Sequence, residues 1–306
     1  MWSSKASSNI ALIKYMGKTE RNIPCNVSLS YTLDKFVTEV TLENCEGKDE
    51  FTNELGLNSS AVNRFLKHLE NIKKRFGYEG FFRVKSSNNF PHSAGAASSS
   101  SSFAALTKCA LAAICEIKKL PLPSPEEMSK ISREGSGASC RSFFFPWAVW
   151  RGEGGKAISF NTGDPDHDLI LTDAKPKKIS SGEAHEAVKS SPLFAGRPER
   201  AENRFSDLAD ALDNNRWNDA RRICAEEFRD MHALFETSVV PFSYIGPLTA
   251  SILKQIEDFC GTEENGPIVT LDAGPNIHLL WKKNSEDLRN KLKHAILGKN
   301  PAVGFL

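Results

Sequence analysis

Neither sign of charge is in excess in this chain of 306 residues: 39 Lys and Arg stand against 38 Asp and Glu, a formal net charge of +1. That balance argues against a surface built for nucleic acid and against an acidic solvating tail, so any anion binding has to be local. Long apolar runs are missing as well. The best stretch, residues 103–117, is broken by Thr107, Lys108 and Glu116, and no membrane span is expected. Near the N-terminus only residues 10–13 are apolar before Lys14, too few for a signal-peptide core, which makes the cytoplasm the expected compartment. Cysteine is scarce and unpatterned. The seven residues include no C-x-x-C pair and no histidine at zinc-ligand spacing, so they read as free thiols and not as a disulfide framework or metal site. What is present is ordinary globular composition, 40% hydrophobic and 25% charged, over a length that suits roughly two domains.

The patterning is mixed α and β. Alternating β-branched residues predict strands at 36–42 and 80–84, and a stripe through Val62, Phe65, Leu66, Leu69, Ile72 and Phe76 predicts a helix. An Ala/Leu-rich helix is expected to end near Leu120, ahead of Pro121 and Pro123, and another to cover 125–133. A loop is expected at 134–140, then strands at 143–151 and within 157–181, joined by a polar turn at 162–168. Beyond about residue 182 helices dominate, at 197–214, 218–235 and 247–259. Strands at 267–271 and 278–282 and a closing helix at 286–297 complete the pattern. The compositional shift suggests domains at 1–178 and 179–306.

Four segments carry the chemistry. Pro91-His-Ser-Ala-Gly-Ala-Ala-Ser-Ser-Ser-Ser-Ser-Phe-Ala-Ala-Leu106 runs from a small-residue loop into a helix. Such a junction offers backbone N–H groups and a helix N-terminus to phosphate, although a serine-rich helix cap has the same composition. Ser8-Asn-Ile-Ala-Leu-Ile-Lys-Tyr-Met-Gly-Lys18 places two lysines four apart around Tyr15 and Gly17. Gly135-Ser-Gly-Ala-Ser-Cys-Arg-Ser142 puts Arg141 where it can hold a carboxylate or phosphate through parallel hydrogen bonds. Asp272-Ala-Gly-Pro-Asn276 places a carboxylate at the end of a β-branched strand. His232 and His278 lie on apolar stripes and read as structural. Cys140 reads as a packed residue, the Lys175, Lys177 and Lys178 cluster as a solvated turn, and His92 as an open nucleotide contact.

Taken in order, these four segments resemble the mevalonate diphosphate decarboxylases, within the superfamily of galactokinase, homoserine kinase and mevalonate kinase. Ser190-Ser-Pro, Met231-His-Ala and Pro241-Phe-Ser-Tyr are weaker echoes, and the likeness extends from residue 8 to about 282. The resemblance implies a two-domain α+β small-molecule-kinase fold. Its N-terminal domain would be ribosomal-protein-S5-like and its C-terminal domain ferredoxin-like, with the active site in the cleft between them. It implies ATP and Mg²⁺, mevalonate 5-diphosphate as substrate, a homodimer, and no nucleic-acid or membrane partner. Asp272 would engage the 3-hydroxyl, with Lys14 beside it and Arg141 on the substrate carboxylate. Tyr15, Met16, Gly17, Lys18, Ser136, Gly137, Ser139 and Ser190 would surround the substrate. Pro91, Gly95, Ala97, Ser98, Ser99 and Ser100 would cradle the nucleotide, with Mg²⁺ on the ATP phosphates and Ser98 or Ser99.

The chain departs from the family pattern at Met16, where Trp is usual, and at Gly95-Ala-Ala-Ser-Ser-Ser100, where Gly-Leu-Ala-Ser-Ser-Ala is usual. An arginine on the helix before the phosphate loop usually reaches the substrate diphosphate; Arg64 lies near that place. The alternatives on the same fold are a mevalonate 5-phosphate decarboxylase and a mevalonate 3-kinase. A non-catalytic nucleotide-binding relative is a third reading, disfavoured by intact motifs.

Overall fold

A computed structural model describes residues 1–54, 56–90, 98–172, 178–261 and 265–306. The alternating segment at 36–42 is the middle of a much longer strand. In chain order the first lobe holds β1 (Trp2–Ile13), β2 (Ser28–Cys45), β3 (Glu50–Thr52), α1 (Ser59–Arg75), β4 (Phe81–Asn88), α2 (Ser98–Lys118), α3 (Pro125–Gly135), β5 (Trp147–Arg151) and β6 (Gly154–Ile158). β2 organises its six-stranded mixed sheet. β1 lies antiparallel along one edge, while β5 and β4 share the other in succession, and β3 joins β4 in parallel. The stripe predicted on α1 buries Phe65, Leu69 and Ile72 against the sheet and α2.

By length and composition α2 is apolar enough to cross a membrane, contrary to the expectation of no such segment. Counting uninterrupted apolar residues missed it because the serines, Thr107 and Lys108 break the run while the average stays high. With 72% of its apolar window buried inside the protein, α2 serves as the core helix of this lobe. Residues 134–140 also differ from expectation. The segment Gly137–Phe143 winds into a 3-10 helix, pinned where Ser129 Oγ donates to the Cys140 carbonyl (2.8 Å) and Asn9 Nδ2 to Ser142 Oγ (2.8 Å).

The second lobe holds β7 (Asp166–Leu171), α4 (Ser181–Ala187), α5 (Arg197–Asp213), α6 (Trp217–Glu236), α7 (Pro247–Cys260), β8 (Ile268–Thr270), β9 (Ile277–Trp281), α8 (Glu286–Lys299) and β10 (Gly304–Phe305). Its sheet is antiparallel in the order β10-β7-β9-β8. The change of sheet therefore falls between Ile158 and Asp166, ahead of the division at 178/179 drawn from composition. One buried cluster crosses the junction, where Ile10, Leu12, Leu29 and Trp147 of the first lobe pack with Leu208, Ile223, Ile268 and Leu280 of the second. The end of β1 is thus clamped between lobes.

Candidate active site

β1 delivers Lys14 to this seam. A register shift between Ala11 and Ile13 loosens the strand, and Ser28 Oγ then donates to the Ile13 carbonyl (2.6 Å). The next residue turns inward with its side chain 1% exposed. Lys14 Nζ donates to the Ala11 carbonyl (2.6 Å) and to Asp272 Oδ1 (2.7 Å), 258 positions away in the chain. Asp272 stands just past β8 in a tight turn closed by Gly274 N–H to the Asp272 carbonyl (2.7 Å). Thr172 and Thr249 donate to the Pro275 carbonyl (2.8 and 3.0 Å), and Asn276 Oδ1 accepts from Thr172 N–H (2.9 Å), which tie the turn to β7 and α7.

The Asp272 side chain keeps 28% of its surface exposed, so it meets solvent while its partner does not. Burial favours its neutral form, but the Lys14 ammonium wins, with His278 and Arg141 assisting, and holds it below the usual carboxylate range. Burial holds Lys14 below the ordinary lysine value, against the opposing pull of Asp272. Together they form an ion pair with an ionised, hydrogen-bond-accepting carboxylate open to solvent on one side.

Arg141 is 3% exposed, donates to Ser28 Oγ, lies 5.8 Å from the Trp150 ring, and leaves its Nε without a partner. A buried guanidinium with unused donors is costly unless an anion arrives to fill them. Tyr15 packs between Trp150 and His185, at ring distances of 4.5 and 4.3 Å, with its hydroxyl toward the Asn22 carbonyl (3.4 Å). Gly137 is required there, since a Cβ would come within 2.5 Å of the Tyr15 hydroxyl. Gly17 has φ +87°, and its N–H donates to His185 Nδ1 (3.0 Å). Lys18 Nζ donates to Asn22 Oδ1 (2.9 Å); burial lowers its pKa, as do Arg64 and Lys189, against the opposing charge of Glu186. Ser136, 8% exposed, caps α3 next to Gly137.

Several expected contacts change. Ser139 is fully buried, its hydroxyl bonded to Ser132 Oγ and the Ser136 carbonyl (2.6 Å each), so it braces the 3-10 helix. Ser190 is exposed but committed, donating to the Ala187 carbonyl (2.7 Å) and accepting from Val239 N–H (3.0 Å). Met16 is 2% exposed, packed with Val188, Met231, Phe235 and Ala273, and forms core where a pocket wall was expected. Pro91, His92, Gly95, Ala97, Lys175 and Lys177 lie outside the described residues. Of the nucleotide serines, Ser98, Ser99 and Ser100 begin α2, and Ser100 is fully buried.

Cys140 is packed, its thiol pushed up to about 12 by burial despite Arg141. All seven cysteines are free. His278 pairs with His167 (3.0 Å), and His232 is buried beside the turn, consistent with structural roles. A separate cavity of about 190 Å³, lined by Tyr31, Asp34, Phe145, Asp164, His167 and Lys283, contains none of Lys14, Arg141 or Asp272.

The sequence reading missed His185, Glu227 and Arg197. Glu227 is fully buried and accepts from Lys14 N–H (2.8 Å). It stands four positions before Met231-His-Ala, and its position on the inward stripe of a helix, where a carboxylate is out of place, was the available signal.

Two α+β lobes closing on a lysine–carboxylate pair, with a buried arginine beside it, define an enzyme of the small-molecule-kinase class. Residues 6–160 match the diphosphomevalonate decarboxylase-like N-terminal domain, and residues 169–302 the mevalonate 5-diphosphate decarboxylase C-terminal domain. The chain belongs to the mevalonate diphosphate decarboxylase family. Diphosphomevalonate decarboxylase of Aspergillus fumigatus is 30% identical, over 97% of this chain and 81% of its own. The crystal structure of a mevalonate diphosphate decarboxylase from Legionella pneumophila is 46% identical, with TM-score 0.94 and coverage of 100% and 99%. MDDEF in complex with MVAPP, AMPPCP and magnesium is 26% identical, with TM-score 0.88 and the same coverage.

Proposed function

We infer that the protein decarboxylates mevalonate 5-diphosphate at the expense of ATP, yielding isopentenyl diphosphate, ADP, phosphate and CO₂. The carrying observation is the Lys14–Asp272 ion pair with Arg141 beside it, in a chain of this family. An aspartate held below its usual pKa is a weak base toward a tertiary alcohol. Phosphoryl transfer through a loose transition state asks little deprotonation beforehand. Asp272 therefore accepts a hydrogen bond from the 3-hydroxyl, aims its oxygen at the γ-phosphorus, and takes the proton as the new P–O bond forms and ADP leaves. Lys14 balances charge on the carboxylate and the transferring group. The C3–O bond then breaks with its electron pair departing on phosphate, and the C1–C2 pair becomes the alkene as CO₂ leaves. Gripping a carboxylate stabilises the ground state, so Arg141 contributes orientation.

Lys18, with Arg64 and Lys189 near enough to depress its pKa, forms a local cationic cluster for the substrate's terminal phosphates. Tyr15 and the Gly137 and Gly17 backbones shape the approach. This excess of cationic donors at one end favours a diphosphate over a monophosphate. ATP brings its magnesium. The triphosphate oxygens, with Ser98 or Ser99, would carry the ion, which would screen their charge. The test incubates the protein with ATP, Mg²⁺ and either mevalonate 5-diphosphate or the monophosphate, measuring ADP and CO₂ together. Equal yields of both from the diphosphate, with higher kcat/KM than for the monophosphate, are expected. ADP without CO₂ would make it a kinase.

A further inference from the structure

Lys14 is gripped by its main chain as well as its side chain, and the grip comes from the other lobe. Glu227 Oε1 on α6 accepts from Lys14 N–H (2.8 Å), while Arg197 Nη2 at the start of α5 donates to the Lys14 carbonyl (3.3 Å), which also accepts from Asn26 Nδ2 (2.8 Å). Glu227 and Arg197 are both fully buried and bonded to each other, with Arg197 Nη1 to Glu227 Oε2 at 2.9 Å. Arg204 adds a bond to Glu227 (3.1 Å), and Arg197, Arg200 and Arg204 all converge on Asp230 (2.7, 2.9 and 3.0 Å). An ion pair taken wholly out of water is an expensive way to gain stability alone, since apolar residues of similar volume often do as well. What an apolar pair could not do is hold the N–H and C=O of one peptide residue at fixed positions.

We propose that Glu227 and Arg197 are positioning residues for Lys14, fixing its backbone from both sides so that its ammonium stays on Asp272 through the reaction. The proposal rests on the Lys14–Asp272 roles given above. With the backbone held, Nζ has two fixed acceptors, the Ala11 carbonyl and Asp272 Oδ1, and little freedom to leave either. Slackening the backbone lets the ammonium drift, which raises the Asp272 pKa because Lys14 is the chief charge holding it down. Asp272 otherwise faces Arg141 from the 3-10 helix, His278 from β9 and His232 from α6, all of which stay in place.

Glu227→Gln keeps the side-chain volume and an acceptor oxygen but gives up the carboxylate that Arg197 and Arg204 share. In the full chain it is expected to lower kcat by about 10- to 100-fold, within the effect of misplacing a catalytic group. KM for ATP should stay within about twofold, and the acidic limb of the pH–rate profile should move to higher pH. Arg200→Gln, which touches Asp230 and the Leu193 carbonyl but not Lys14, loosens the same network from outside and is expected to lower Tm without moving the acidic limb. The proposal is overturned if Glu227→Gln keeps wild-type kcat and acidic limb, or if Arg200→Gln shifts the limb equally. Should Glu227→Gln fail to fold, Arg197→Lys decides the matter by the same two readings, since it retains the charge but cannot bond Glu227 and the Lys14 carbonyl together. Asp272→Asn separates the layers: if that variant stays active, the underlying roles fail, whereas an inactive Asp272→Asn beside an unaffected Glu227→Gln removes only the positioning.

Discussion

Lys14 and Asp272 each change what the other can do. Alone, a buried lysine would shed its proton and a half-buried carboxylate would take one up; paired at 2.7 Å, both stay charged, and the carboxylate can receive the alcohol's hydrogen bond. Asp272→Asn is nearly isosteric but offers an amide in place of a proton acceptor and leaves the Lys14 ammonium buried without its counter-ion. Turnover should fall on the order of 10³-fold, in the middle of the range for removing a general acid or base. ATP binding measured by calorimetry should be nearly unchanged. Near-normal turnover would remove Asp272 from its role.

At the scale of elements, the 3-10 helix at Gly137–Phe143 matters because it packs its own polar groups inward. Ser139 and the Cys140 carbonyl are spent on bracing, which leaves Arg141 and the Gly137 backbone to face the seam. Gly137→Ala would push a methyl into the Tyr15 hydroxyl, 2.5 Å away, and Tyr15 is already wedged between Trp150 and His185. Overpacking of this kind costs about 1–3 kcal/mol. The expected result is a lower Tm and a substrate KM raised several-fold while KM for ATP holds. An unchanged substrate KM would mean that Tyr15 does not shape the substrate end of the site.

Four histidines, His68, His167, His185 and His232, are buried with their neutral forms favoured, which gives the stability of the whole molecule a predictable pH dependence. His68 and His185 are held down to about 3, His232 to about 4 and His167 well below the ordinary histidine value, in each case chiefly by burial, with nearby cations adding to it. Their pKa values in the unfolded chain lie at about 6.5. Between those limits the unfolded state binds protons that the fold refuses, so stability rises with pH through the window and falls on acidification below about 6.5. With close to four protons taken up on unfolding near pH 5, the slope approaches about 5 kcal/mol per pH unit. Calorimetric Tm should be nearly level above about pH 7 and should drop by more than about 5 °C per pH unit from about pH 6 to 5. A flat Tm across that interval would show that these rings protonate within the fold.

Much of this was legible from the chain alone, because helix and strand periodicity and turn chemistry are local. The helices at 62–76 and 197–214 and the strand at 36–42 follow from apolar spacing, and Lys14, Arg141 and Asp272 stand in segments whose order carries the family resemblance. Other features depended on neighbours remote in sequence. The resemblance places Ser139 beside the substrate; that the 3-10 helix also bonds its hydroxyl to Ser132 is decided by packing. Met16 looked like pocket wall until Val188 and Phe235 closed over it. The break in composition near 178 marked where helices begin, yet β7 had already crossed to the second sheet because its partner, β9, lies over a hundred positions on. Glu227 and Arg197 carried no motif at all. Their function exists only where α5 and α6 meet the end of β1, since a buried charge gains its meaning from the partner that desolvation forces it to find. Local spacing determined which elements form and which side chains could react; tertiary packing decided which of them meet, because pairing across 258 positions is settled by the burial of whole surfaces and not by any pattern along the chain.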